Sequence, residues 1–310
     1  MRTAIPLTVL ATTLACSLAT APAFARARTF VASYGNDANP CTFGSPCKTF
    51  QVAVNVVDAG GEVTAIDSAG FGPILITKAV AITSPNGVEA GIVPVSGGNS
   101  ITINAGPFDA ITLSGLVIDG AGAGANGVLF GAGGYLIMQD CVIRNMTGDG
   151  IHFVSNFISH LSVTNTFVGN NGGNGILVQP VGSASVDAVF ERVRIQFNSQ
   201  NAWGIALDSS QTAGTVKGTV TDSTLLYNGG GFLLTGNSDP QNVGTLVRSL
   251  VASNNTGVEE TGIGTVYISQ TTITNSTLDC SGRVFSYRDN IVNGLLGPDN
   301  CDANAPALKD

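Results

Sequence analysis

The chain has 310 residues, 44% of them hydrophobic and only 11% charged, with 40 glycines and a net charge of −8. The apolar content excludes disorder driven by charge, and the negative balance argues against nucleic acid or an anionic membrane as partner. Lys, Glu and Gln are scarce beside Val, Ile, Thr, Asn and Gly, which predicts an all-β chain rich in turns.

Residues 1–25 read as a cleaved signal peptide. Arg2 supplies a positive start, Leu7 to Leu18 is largely apolar, and Ala23-Phe24-Ala25 is a small-residue cleavage site. A lipoprotein signal ending at Cys16 is the weaker alternative, because Thr13 stands where such a site favours Leu. No later apolar run is long enough to span a bilayer. The mature protein is expected to begin at Arg26 and to be secreted or periplasmic. Export permits disulfides. The simplest pairing of the five remaining cysteines is local, Cys41 with Cys47 and Cys280 with Cys301. Loop entropy makes these worth about 2 and about 3 kcal/mol. Cys141 is left over and reads as a small buried residue.

Residues 26–60 form a lead-in and cap. Thr29 to Ser33 is a short strand, Tyr34 to Pro46 a turn-rich loop, and Lys48 to Ala59 an amphipathic helix stopped by Gly60-Gly61. Such a helix would cover the open end of a sheet. Strands take over from Val63, and residues 61–294 are the repeat body. Two phrases recur there. One runs from a small residue through an aliphatic to Asn, as in Cys141…Ile143…Asn145 and Ser223…Leu225…Asn228. The other is a Gly followed by apolar residues, at Gly127, Gly150, Gly175, Gly204 and Gly231. Such self-similarity marks stacked repeats. Each repeat holds three short strands, which predicts a right-handed parallel β-helix, single-stranded, with coils ~4.8 Å apart. Ile143, Val168, Ile195, Leu225, Val251 and Ile273 form an inward aliphatic row, and Asn145, Asn170, Asn198, Asn228, Asn254 and Asn275 a single turn ladder. Residues 295–310 are a C-terminal tail.

The opening from Phe30 to Pro40, the run from Pro46 to Val54, and the segment from Gly70 to Ile82 resemble secreted parallel β-helix proteins of the pectin lyase-like superfamily. The resemblance covers 29–294. It implies the fold, and it implies a search for sugar chemistry, because the superfamily's enzymes use carboxylate pairs, or calcium with an Arg or Lys base. It is weak for activity, since the superfamily also holds proteins with no known reaction.

The inventory for such chemistry is thin. Asp149 and His152 in Thr147-Gly148-Asp149-Gly150-Ile151-His152, and Arg194-Ile195-Gln196, echo polygalacturonase motifs, but a second acid is missing and Gln196 replaces the usual Lys. If the protein is an enzyme, Asp149, His152 and Arg192 are the catalytic candidates. Arg144, Asp222, Arg248 and Trp203 are the candidates for binding substrate. A corner row of Asp140, Asn165, Arg192, Asp222, Arg248 and Gln270 places Asp222 between two arginines, either as a charge-matched ladder or as a cationic spot for a uronate. Calcium would need Asp149, Asp119 and Asp140 to converge from different rows; otherwise no metal or cofactor is expected. The outward row after the Gly is Leu129, His152, Leu177, Ala206 and Leu233, which suggests a face covered by loops or by another chain. The favoured expectation is a non-catalytic scaffold that contacts polysaccharide or a surface protein. The alternatives are a polysaccharide-modifying enzyme, lyase rather than hydrolase, and an oligomer that buries the apolar row.

Overall fold

The structure, a computed structural model, describes residues 26–293 and Cys301. The expected signal peptide and, Cys301 apart, the tail lie outside the described residues. Short strands stack into three sheets. Sheet A has eleven strands, from Arg28–Val31 to Val284–Ser286; sheet B has ten, from Ala69–Gly70 to Ile291–Asn293; sheet C has nine, from Ile74–Ile76 to Leu278–Ser281. The chain visits A, B and C in turn and then starts the next coil. In one such coil Ser159–Thr164, Phe167–Gly169 and Ile176–Val178 each pair in parallel with their counterparts a coil away. This is the expected right-handed parallel β-helix.

Alternation within each strand turns one set of side chains inward. The aliphatic row from Ile143 to Ile273 is in direct register and fully buried. Further round the core, the rings of Phe130 and Phe153 stack at 4.1 Å. The cap helix is shorter than expected, Phe50–Val56. Thr49 caps its start by accepting the Val52 N–H, while Val57 is already extended and Gly60 turns left-handed at φ 79°. Phe50, Ala53 and Val54 close the end of the core, with Phe50 against Phe71 at 4.9 Å between ring centres. Both expected disulfides form, with Cα separations of 4.6 and 5.2 Å.

The corners correct the expected Asn ladder. Strand register aligns Asn145, Asn170, Phe197, Tyr227, Ser253 and Asn275 in one row at the B–C corner, all left-handed with φ between 55° and 61°. Asn198, Asn228 and Asn254 belong to the next row, with Asn171, and point inward. There Asn171 Nδ2 donates to Asn198 Oδ1, Asn198 to Asn228, and Asn228 to Asn254, at 2.9, 2.9 and 3.3 Å. The single row was two because Asn falls two residues after the inward aliphatic in some coils and three after it in others.

The A–B corner carries the row from Asp140 to Gln270, again left-handed with φ between 47° and 55°. The residue after it is buried. Val193, Ser223 and Ser249 each donate a backbone N–H to the hydroxyl one coil on, at 3.1, 3.3 and 3.4 Å. Cys141 occupies this row and its Sγ lies 3.2 Å from the Gln139 carbonyl, much as Ser223 bonds Thr221. Burial raises its thiol to about 11.

Candidate functional site

Sheet C carries the Gly phrase. A Cβ on Gly175 would lie 2.5 Å from the Ile195 side chain and 2.6 Å from the Gly204 carbonyl, so the coils approach too closely there for any side chain. The residue before each Gly forms a row of its own: Asn126, Asp149, Asn174, Trp203 and Gly230. It is a second amide ladder. Asn126 Oδ1 accepts the Asp149 N–H at 2.9 Å, Asp149 Oδ1 accepts the Asn174 N–H and Nδ2 at 2.7 and 3.1 Å, and Asn174 Oδ1 accepts the Trp203 N–H at 2.8 Å. Sequence reasoning missed this ladder, although the dipeptides Asn126-Gly127, Asp149-Gly150 and Asn174-Gly175 carried its signal.

Asp149 is the one acid in a row of amides. The ladder uses only Oδ1, which an Asn would supply equally. The second oxygen, Oδ2, sits 3.3 Å from His152 Nδ1. Asp149 is buried and His152 half-buried, and His152 Nε2 is shielded from water without a hydrogen-bond partner. Strand register puts Leu129 and Leu177 beside the imidazole. The pair is therefore a close carboxylate–imidazole contact in an apolar row. Along that row Leu129, Leu177 and Leu233 are half-buried and Ala206 is fully buried. The segments joining C to A lie beyond its end, where Pro107, Phe108, Asn156, Phe157 and Ser183 line a hollow of about 350 Å³.

The other candidates lie elsewhere. Arg144 is on sheet B and its Nε bonds Asp119 Oδ2 at 2.8 Å. Partial burial works to raise the Asp119 pKa, but the Asn145 amide, the Ala121 N–H and Arg144 outweigh it and hold Asp119 below the ordinary 3.8. At the A–B corner Arg248 grips Asp222 through two bonds of 2.8 Å, which holds the Asp222 carboxyl low and raises Arg248 in turn. Arg192 pairs with its chain neighbour Glu191. Trp203 is on sheet C in the row of Asp149, two coils away, and lies flat over Gly230, where a Cβ would come within 2.1 Å of the ring. The structure thus brings Asp149 and His152 together, sets Trp203 on the same sheet, and leaves the three arginines with carboxylates at sheet B and the A–B corner. The calcium candidates do not fit a metal site. Asp119 faces Arg144, Asp140 accepts from Asn165, and Asp149 serves its ladder. Among the described residues no three His, Cys, Asp or Glu side chains gather as metal ligands, and no helix is long and apolar enough to cross a membrane.

One further feature was not singled out from the sequence. Phe197 and Tyr227, consecutive in the left-handed B–C row, are 50% and 48% exposed and stack with ring centres 4.9 Å apart and planes 3° from parallel.

No family model matches the sequence, and neither does any curated protein. Solved structures do match in shape. An alginate lyase from Paenibacillus sp. str. FPU-7 aligns with TM-score 0.54 and 14% identity over 86% of this chain and 98% of that one. XylC in complex with xylose aligns at 0.54 and 9% over 83% and 70%. Pectate lyase Pel9A aligns at 0.51 and 14% over 89% and 78%. At these identities the likeness speaks for fold alone, the parallel β-helix described above.

Proposed function

We propose that the protein is an exported, rigid β-helix that contacts polysaccharide outside the cytoplasm without transforming it. The observation that carries this reading is the dispersal of its ionic groups. A uronate lyase or a glycosidase needs an acid, a base and a group for the developing charge within reach of one bond. Here Arg144, Arg192 and Arg248 are each engaged by a carboxylate on sheet B or at the A–B corner, while the buried Asp149–His152 pair sits on sheet C and a more exposed His160–Asp187 pair, 3.9 Å apart, on sheet A. The two disulfides agree with export, and the solved neighbours are named for pectate, alginate and xylose.

One observation favours the alternative, a polysaccharide-modifying enzyme. Asp149 replaces an amide in its ladder and turns its spare oxygen to His152. A carboxylate beside one imidazole nitrogen can support the other in taking a proton, in lyase chemistry from the sugar carbon beside a uronate carboxyl, once the buried Nε2 is uncovered to substrate. The test incubates the purified protein with uronate-rich and neutral polysaccharides, with and without calcium, following unsaturated product, reducing ends and binding. Binding without turnover is expected. Turnover that vanishes in Asp149→Asn or His152→Ala would overturn the scaffold reading and locate the site. Turnover lost in Arg192→Ala would instead place it at the A–B corner.

A further inference from the structure

We infer that Phe197 and Tyr227 form a stacking platform for the pyranose rings of a neutral polysaccharide, a deepening that rests on the polysaccharide-contacting reading above. Every residue of their row has left-handed backbone, which Asn accepts readily and bulky side chains do not. Asn145, Asn170 and Asn275 follow that preference. Three consecutive coils depart from it, two with an aromatic, Phe197 and Tyr227, and the next with the small Ser253. Half of each aromatic side chain remains open to water, so core packing does not account for the choice. Long side chains also stand on left-handed backbone at the A–B corner, Arg192, Arg248 and Gln270 among them, so it is the stacking of two exposed rings and not the backbone alone that marks this surface.

The geometry narrows the ligand. The rings are parallel within 3° and belong to adjacent coils. Asn170 precedes them in the row and Ser253 follows, and both are too short to cover an aromatic face. Gln196, next to Phe197 on sheet B, is a neutral amide that accepts from Arg194 Nε at 2.9 Å. The two rings cover one face of each other and leave the outer face of each open, and these apolar faces, rimmed by amides, a hydroxyl and the Arg194 guanidinium, match a sugar ring, which presents a C–H face and a rim of hydroxyls. The protein's overall charge of −8 disfavours a polyanion, and the neutral class is favoured even with one cation, Arg194, at the rim.

The row supplies its own control. In the Phe197→Asn/Tyr227→Asn double variant both positions take the residue the row uses elsewhere. Wild type and variant are run through native gels containing hydroxyethylcellulose or polygalacturonate, beside thermal melts. The expected result is retardation of the wild type by hydroxyethylcellulose, at least tenfold weaker binding in the variant, and an unlowered melting temperature. Equal retardation of both proteins would sink the platform and leave the broader reading standing. So would a lowered melting temperature with unchanged binding, which would make the pair structural. Retardation by polygalacturonate alone would overturn the neutral ligand class. A wild type retarded by neither polymer would overturn the platform, and failure across the wider polysaccharide panel would take the scaffold reading with it.

Discussion

Truncating Asn228 to Ala tests the inner ladder directly. Asn228 is 1% exposed, and its Oδ1 accepts both the Asn198 N–H at 3.1 Å and Asn198 Nδ2 at 2.9 Å. Removing it strands two donors of a residue that is itself buried. At about 1–3 kcal/mol per orphaned buried group, the loss should be about 4 kcal/mol. That is a large share of the 5–15 kcal/mol, roughly, that holds a domain together. Asn170→Ala is the matched control. Asn170 is exposed in the left-handed row, so its loss should cost only about 1 kcal/mol, the local preference of Asn over Ala. Urea unfolding of both variants measures the difference, and hydrogen exchange at the Asn198 amide reports whether the coils around it open first, as nearest-neighbour coupling requires. An Asn228→Ala loss below about 1 kcal/mol, or a larger loss in Asn170→Ala, would refute the ladder argument.

Three further outcomes are expected. Cys141, buried with its thiol raised to about 11, should resist iodoacetamide in the native protein and react on unfolding, and Cys141→Ser should fold, since Ser already serves that row at Ser223 and Ser249; labelling with mass spectrometry reads both. Gly230→Ala should displace Trp203, costing about 1–3 kcal/mol and shifting the fluorescence of the single tryptophan. Asp119 has its folded pKa lowered, so its contribution is present above the unfolded value near 3.8 and is lost as pH falls through the folded one. Asp119→Asn should therefore be less stable than wild type near pH 6, with the gap closing in acid melts below about pH 4.

The architecture was legible because strand and coil repeat are periodic. Ile143 to Ile273 could be aligned by eye, and the Gly phrase marked where coils touch. What was not legible was a shift of one residue. Asn198 and Asn145 look alike in sequence, yet one is an inward rung and the other a left-handed corner, and only a constant count from the aliphatic separates them. That shift hid the aromatic pair, because Phe197 and Tyr227 stand where the misaligned row showed Asn. The site suffered for a different reason. Asp149 and His152 are three residues apart and could be paired from spacing, but the engagement of Arg144 by Asp119 and of Arg192 by Glu191 depends on which side chains a corner brings within reach.

A stacked fold carries internal controls that a globular one lacks. Each position is repeated in nearly the same surroundings one coil away, so the residue type its structural role requires can be read from its neighbours. Where a position follows its row, as Asn171, Asn198, Asn228 and Asn254 do, structure is sufficient explanation. Departures need another cause. Ser for Thr in the hydroxyl row keeps the same bond and is neutral. Asp149 among amides adds a charge its ladder does not use, His152 among leucines adds a titratable ring, and Phe197 with Tyr227 sets bulk on a backbone that disfavours it. These departures occupy two places, the start of sheet C and the B–C corner. The first could serve proton transfer and the second contact, and only the second is assembled from groups that need no further partner to act. That asymmetry is why contact with a neutral glycan, and not its cleavage, is the activity to test first.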